Sequence, residues 1–426
     1  MFVQESDAAV QAVTSGAFVF PLHGGFCFSG LPGSIERLLG GSGSQYALPD
    51  VCFAGVPPRR RVVLFFLDAF GWAFIERYRS HPAVRLFFEQ GRVSLLTAQF
   101  PSSTGAHVTT LKSGLSVGAT AVPSLAYFDP LAGGVMNPFK YSLVGAQSEV
   151  ESLRARGIDP REVFPFETLY MRLGRAGVRC SCICDRRLAP SSYSGVMNQG
   201  PPPAWQKAQP VLPGSSPRNR SWGRGVLSDD SPGGSTFVEV YLDKLDAIGH
   251  AFGPGSVEFD EAARAVLDEF AAALEVARKF DATVIMVADH GQVDIDCTTT
   301  VSLTREVPEL PGLLRTAEHQ GRLPAGGSVR DCCLYVRDEA VDQALQLLRG
   351  RLGGIGLIEA TTTLVARGVF GDPARVRPDF IDRMGSIVIA PTPDATVWLD
   401  PDDRSVKRGS HGGLSRDEMR IPLMVL

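Results

Sequence analysis

No apolar run in the sequence is long enough to cross a bilayer, so no membrane-spanning helix is expected. The opening ten residues carry Glu5 and Asp7 and lack a basic start followed by an apolar stretch, so no secretory leader is expected either. Neither sign of charge dominates: 42 Lys and Arg stand against 46 Asp and Glu, for a net charge of -4. Stable binding to nucleic acid or to a membrane surface is therefore not expected. The eight cysteines lack the paired spacing of a structural zinc site. Cys180-Ser-Cys-Ile-Cys184 places three sulfurs on one face of a strand by alternation, with no second pair to complete a ligand set. They read as buried free thiols, in keeping with a reducing compartment and a cytoplasmic protein.

What is present is apolar and punctuated. With 426 residues, 44% hydrophobic, the chain can build one large α/β domain with an insertion, or two to three smaller domains. Residues 1–60 are rich in Gly and Pro, show little periodicity and read as a loop-rich segment packed on the core. Arg61–Leu67 is a continuous apolar run of the kind buried on both faces of a parallel sheet, and it ends in Asp68. A helix is expected from there to about Phe88, then a strand over 93–98. Further strands are expected at 178–184, 236–242 and 283–288, with helices at 167–176 and 256–280. The Pro-, Gly- and Ser-rich stretch 201–234 reads as an exposed excursion that borders a substrate. Residues 296–390 change character and read as a smaller α/β cap, after which Ile387–Ala390 and Thr396–Leu399 return the chain to the main sheet. The catalytic domain would then comprise 61–295 and 391–426.

Chemistry-bearing residues gather at strand ends. Asp68 ends the first strong strand, where open α/β sheets build their sites, although a turn or cap aspartate is the ordinary alternative. Phe100-Pro-Ser-Ser-Thr104-Gly105 enters a helix, and Thr104 falls near its start. A hydroxyl there either caps the helix or sits beside an anion as a nucleophile. Asp246 and His250 are four apart, on one side of a helical turn, and suit either a divalent metal or a plain Asp–His hydrogen bond. Asp289-His290-Gly291 closes the clearest buried strand, and Gly409-Ser-His411-Gly carries an imidazole between glycines. Of the seven histidines, His23, His81, His107 and His319 lie outside the ligand motifs, leaving three imidazoles beside three aspartates. With Thr104, that inventory matches a two-metal hydrolytic site, because a threonine hydroxyl is inert near neutral pH unless activated.

Asp68, Phe100-Pro-Ser-Ser-Thr104, Asp246-Ala-Ile-Gly-His250, Asp289-His290-Gly291 and Gly409-Ser-His411-Gly, in that order, resemble the alkaline phosphatase superfamily. The nucleotide pyrophosphatase/phosphodiesterase branch is the nearest in pattern, over roughly residues 61–426. The resemblance implies a central, mostly parallel sheet flanked by helices, with a smaller α/β cap. It implies two divalent metal ions, zinc first, with manganese or magnesium as alternatives. Asp68, Thr104, Asp289 and His290 would hold one ion, and Asp246, His250 and His411 the other. Thr104 would form a covalent phosphothreonine, and the Gly105 N–H would stabilise a phosphoryl oxygen of a small phosphoester substrate. The branch carries an asparagine three residues after the nucleophile as a phosphoryl contact; His107 stands there, either to donate in its place or to face the core instead. Phe70, Trp72, Tyr127 and Phe128 are candidates for stacking on a nucleobase, against the alternative of core packing. A phosphomonoesterase of the same superfamily and a non-catalytic binding protein that kept the fold are the competing readings. A sulfatase is disfavoured because the nucleophile region lacks the cysteine of that branch.

Overall fold

The computed structural model describes residues 1–41, 46–145, 150–185, 191–200, 205–207, 227, 234–400 and 407–426. Seven strands form the central sheet: β1 (Arg61–Leu67), β2 (Arg92–Thr97), β3 (Val178–Ile183), β4 (Trp205–Lys207), β5 (Ser235–Leu242), β6 (Ala282–Val287) and β7 (Arg420–Val425). Their order is β2-β7-β6-β1-β5-β3-β4. Six run parallel, and β7 lies antiparallel between β2 and β6. β1 and β6 are buried along nearly their whole length. That is why they read as unbroken apolar runs rather than alternating ones: both faces are covered by helices. Among those helices, Val257–Lys279 packs Phe259, Ala263, Val266, Leu267, Phe270 and Leu274 inward, three to four residues apart.

Several sequence expectations need correcting. The single helix expected after Asp68 is two, Trp72–Arg77 and Pro82–Gln90. Pro82 starts the second, because a proline lacks the N–H a continuous helix requires, and the His81 ring accepts from Ala83 N at 3.3 Å at the new start. Residues 1–60 hold more order than their composition suggests. Helices Gln4–Ala12 and Leu31–Leu38 bury Val10, Leu31 and Ile35, and Phe2 makes a bridge to Val93. Ile387–Pro391 does not return to the main sheet. It is the middle strand of a separate antiparallel sheet, between Cys332–Leu334 and Gly356–Ala360. Val397–Trp398 likewise pairs with Val301–Ser302, and the chain rejoins the central sheet only at β7. The smaller sheet has its own apolar cluster, with Leu303, Leu334, Leu348, Ile358, Ile389 and Leu399. Most of the 201–234 excursion lies outside the described residues; Trp205–Lys207 within it forms the edge strand β4. Cys180 and Cys182 are buried, and they are free, as are Cys27, Cys52, Cys184, Cys332 and Cys333. Among the described residues, no helix is long and apolar enough to cross a membrane.

Candidate metal centre and active site

The parallel sheet decides which side chains meet. β1 and β6 are neighbours with the same direction, so Asp68 and Asp289, one residue or two past their ends, emerge side by side. The Asp68 N–H bonds Leu242 O at 3.0 Å, which ties the β1 end to the β5 end. Helix α1 (Thr104–Ser113) follows β2, and helix α2 (Lys244–Phe252) follows β5. His411 is brought in by pairing of Gly409–Ser410 with Val293–Asp294, just beyond His290. The turn after β1 is tight: a Cβ on Gly71 would stand 2.6 Å from Gly291 Cα, so that crossing requires glycine.

Thr104 is the first residue of α1, and its hydroxyl does not cap the helix; Ser103 holds the cap position. Thr104 Oγ1 lies 3.1 Å from His290 Nε2 and 3.5 Å from Asp68 Oδ1. Asp68, Asp289 and His290 each offer a ligand atom within 4.8 Å of the others. Asp246, His290 and His411 form a second such group, and His250 Nε2 joins it at 3.3 Å from Asp246 Oδ1 and 3.2 Å from His411 Nε2. His290 therefore lies between the two sets rather than within one alone, its ring stacked on that of His411 with centroids 3.7 Å apart. All three aspartates, all three histidines and Thr104 of the expected set converge.

The hydrogen bonds around the imidazoles say what they are prepared to bind. Nδ1 of His250 faces Gly409 O at 2.7 Å, that of His411 faces Ser102 O at 2.9 Å, and that of His290 faces Gly291 O at 3.0 Å. A carbonyl only accepts, so each Nδ1 carries the hydrogen and each Nε2 presents a lone pair inward. Burial holds His290 and His411 well below the usual imidazole range and lowers His250, so the rings are neutral, the form that ligates. Two such lone pairs, on His250 and His411, face each other at 3.2 Å, an arrangement that a cation between them satisfies. Burial, and then the neighbouring Asp289 charge, drives the Asp68 carboxyl well up. Burial likewise raises Asp289 to about 7. Asp289 Oδ1 accepts from Ala69 N and His290 N at 3.0 Å each, while the buried Oδ2 has no hydrogen-bond partner. Crowded carboxylates, an orphan oxygen and inward lone pairs together fit divalent cations.

His107 does not fit its expected part. Its Nδ1 faces Ser103 O at 2.8 Å and its Nε2 accepts from Gln99 N at 2.8 Å, so no hydrogen remains for a phosphoryl oxygen. Fully buried and edge-on to Phe28, it ties the start of α1 to the end of β2, and burial lowers it to about 4. The four aromatic candidates are core residues. Phe70 stacks on Phe74 and Tyr78, Trp72 Nε1 donates to Glu76, Tyr127 is fully buried, and Phe128 packs on Tyr335. Gly105 sits where the first N–H groups of α1 have no partner within the helix; a Cβ there would meet Ser124 O at 2.9 Å. Sequence reasoning missed Tyr241, whose hydroxyl donates to Asp68 Oδ2, and Gln292, whose Nε2 donates to Asp246 Oδ1 at 3.2 Å. Both follow recognisable strand ends, at the close of β5 and just past Asp289-His290-Gly291, and that position was the available signal.

The fold and this centre define the class: an α/β protein with a mostly parallel central sheet that gathers two adjoining Asp and His groups able to hold metal ions at its strand ends. The family follows from sequence. Residues 62–414 match the model of type I phosphodiesterase / nucleotide pyrophosphatase, and the chain belongs to that family. Murine ectonucleotide pyrophosphatase / phosphodiesterase 5, in an inactive form in complex with AMP, superposes with a TM-score of 0.63. It shares 14% identity over 86% of this chain and 88% of its own. The human protein of that name gives 0.60 at 13% identity, over 85% and 87%. Phosphonoacetate hydrolase from Sinorhizobium meliloti 1021, in complex with phosphonoacetate, gives 0.58 at 15%, over 85% and 89%. At these identities the likeness establishes the fold. No curated protein matches the sequence.

Proposed function

We propose that the protein is a two-metal hydrolase of phosphodiester or pyrophosphate bonds that works through a covalent phosphothreonine on Thr104. The observation that carries this reading is the hydroxyl of Thr104, released from helix capping and directed at Asp68 and His290. Asp68, Thr104, Asp289 and His290 would hold one ion, and Asp246, His250 and His411 the other. Mixed oxygen and nitrogen donors suit zinc first, with manganese or magnesium as alternatives. Bound there, the metals supply Lewis acidity that lowers the hydroxyl pKa and offsets charge on the phosphoryl and leaving oxygens. Thr104 Oγ1, its proton lost to solvent, bonds to phosphorus while the bond to the leaving oxygen breaks and that oxygen keeps the electron pair. Water then cleaves the phosphothreonine and restores the hydroxyl. The Gly105 N–H, at the positive end of α1, is placed to donate to a phosphoryl oxygen.

AMP in the murine relative and phosphonoacetate in the bacterial one support a small phosphorus-containing substrate here. Seven free cysteines support the expected cytoplasmic location. Hydrolysis of bis(p-nitrophenyl) phosphate against p-nitrophenyl phosphate, with chelator and with added zinc, tests the reading. Chelator-sensitive turnover that favours the diester is expected. Faster monoester turnover would move the assignment to a phosphomonoesterase, and no turnover with two zinc ions bound would favour a binding protein.

A further inference from the structure

One cation of the chain reaches the ligand cluster. Among the described residues, Lys407 is the only Lys or Arg within hydrogen-bond distance of any of the six ligand side chains, its Nζ 3.4 Å from His250 Nε2. Its backbone is anchored there: Arg408 N bonds His250 O at 2.8 Å, and Arg408 O accepts from Ile295 N at 2.8 Å. The residue as a whole is exposed, while its ammonium sits in the ligand cluster, where burial lowers its pKa.

Charge and direction give that ammonium a task, on the two-metal reading above. Three aspartates against two divalent ions leave one positive charge, which a Thr104 alkoxide cancels. Among the described residues, negative charge on the substrate then has no other Lys or Arg at the ligand cluster to meet. Thr104 approaches phosphorus from the Asp68–Asp289 side, so an in-line displacement expels the leaving group on the opposite side, over Asp246, His250 and His411. Lys407 stands at that end.

We propose that Lys407 is a specificity-determining residue that pairs with phosphate charge carried on the leaving group of the bound substrate. The preferred substrates are then pyrophosphate-type bonds, whose leaving group carries its own phosphate charge, over diesters with a neutral leaving substituent. The test compares wild type with Lys407→Gln and Lys407→Arg, each assayed for zinc content, on ATP and on bis(p-nitrophenyl) phosphate. Binding of methylene diphosphonate is measured in parallel by calorimetry. Loss of one charge-assisted hydrogen bond predicts about a 10- to 100-fold fall in kcat/KM for ATP and in diphosphonate affinity for Lys407→Gln. The diester rate should stay within about 3-fold, zinc should remain at two ions per chain, and Lys407→Arg should restore most of the loss. Equal losses on both substrates, or zinc lost from Lys407→Gln, would overturn the assignment. Calorimetry does not depend on turnover. An inactive wild type would therefore sink the hydrolase reading, while diphosphonate affinity still decides for or against Lys407.

Discussion

The two ligand sets differ in how much water they see. The side chains of Asp68, Asp289 and His290 are 0–3% exposed, whereas those of Asp246, His250 and His411 are 8–20% exposed. The first set grows directly from neighbouring sheet strands; the second is assembled from a helix and a glycine-flanked loop. Burial raises both carboxyls sealed in the first set, and the Asp289 charge adds to the rise of Asp68. The open set has solvent and Lys407 to temper its charge. On the proposed mechanism, the buried set would serve the nucleophile and the more accessible set the leaving group and water.

The strongest way to break this contrast is to remove the nucleophile while keeping both ligand sets. Thr104→Ala should lower diester turnover on the order of 10³-fold or more, with zinc content unchanged because six ligands remain. Retained turnover would remove Thr104 from the mechanism. Next comes the charge difference itself. Asp289 is raised from an ordinary carboxylate value of 3.8 to about 7, so its protonated form stabilises the metal-free fold fully below pH 3.8. That contribution is lost as pH rises through about 7. Metal-stripped Asp289→Asn should therefore exceed stripped wild type in stability at pH 8, by a few kcal/mol as an order of magnitude, and converge with it near pH 4. Equal stability of the two stripped proteins at pH 8 in denaturant titrations would erase this contribution.

Supports of the two sets should follow the same order. Tyr241→Phe removes a buried donor to Asp68 and should weaken zinc binding by about 10-fold, with a smaller loss for Gln292→Ala at Asp246. Competition with a chromophoric chelator measures both. The smallest effect on turnover belongs to His107. His107→Phe strands the Gln99 N–H and should cost about 1–3 kcal/mol of stability while leaving kcat/KM of the folded enzyme within about 3-fold. Since burial lowers His107 from 6.5 to about 4, its neutral form carries no penalty above pH 6.5. Wild type should lose stability from this residue as pH falls from 6.5 to 4, and the variant should lack that loss. A large fall in kcat/KM would return His107 to the reaction.

Much of this protein was written locally. β1 and β6 are runs whose burial on both faces shows as nearly uninterrupted apolar sequence, β5 is broken by Glu239, and each of the three is followed by an acid within a few residues. Asp246 and His250 lie one helical turn apart, and the predicted convergence of all seven residues follows once the strands are parallel. The first 60 residues were less legible, because helices of eight and nine residues between glycines and prolines leave too few turns for periodicity to register. Ile387–Pro391 looks like any core strand, and nothing in its own residues names its sheet.

By itself the sequence determined the long central strands, the candidate ligand inventory and the family, because each depends on residues near one another or on motifs in fixed order. Only the tertiary structure decided that His107 is a tie within the core, that His290 lies between both ligand sets, and that Lys407 reaches His250 across 157 residues. A side chain's partners are set by what the fold packs against it, and chain distance does not encode that.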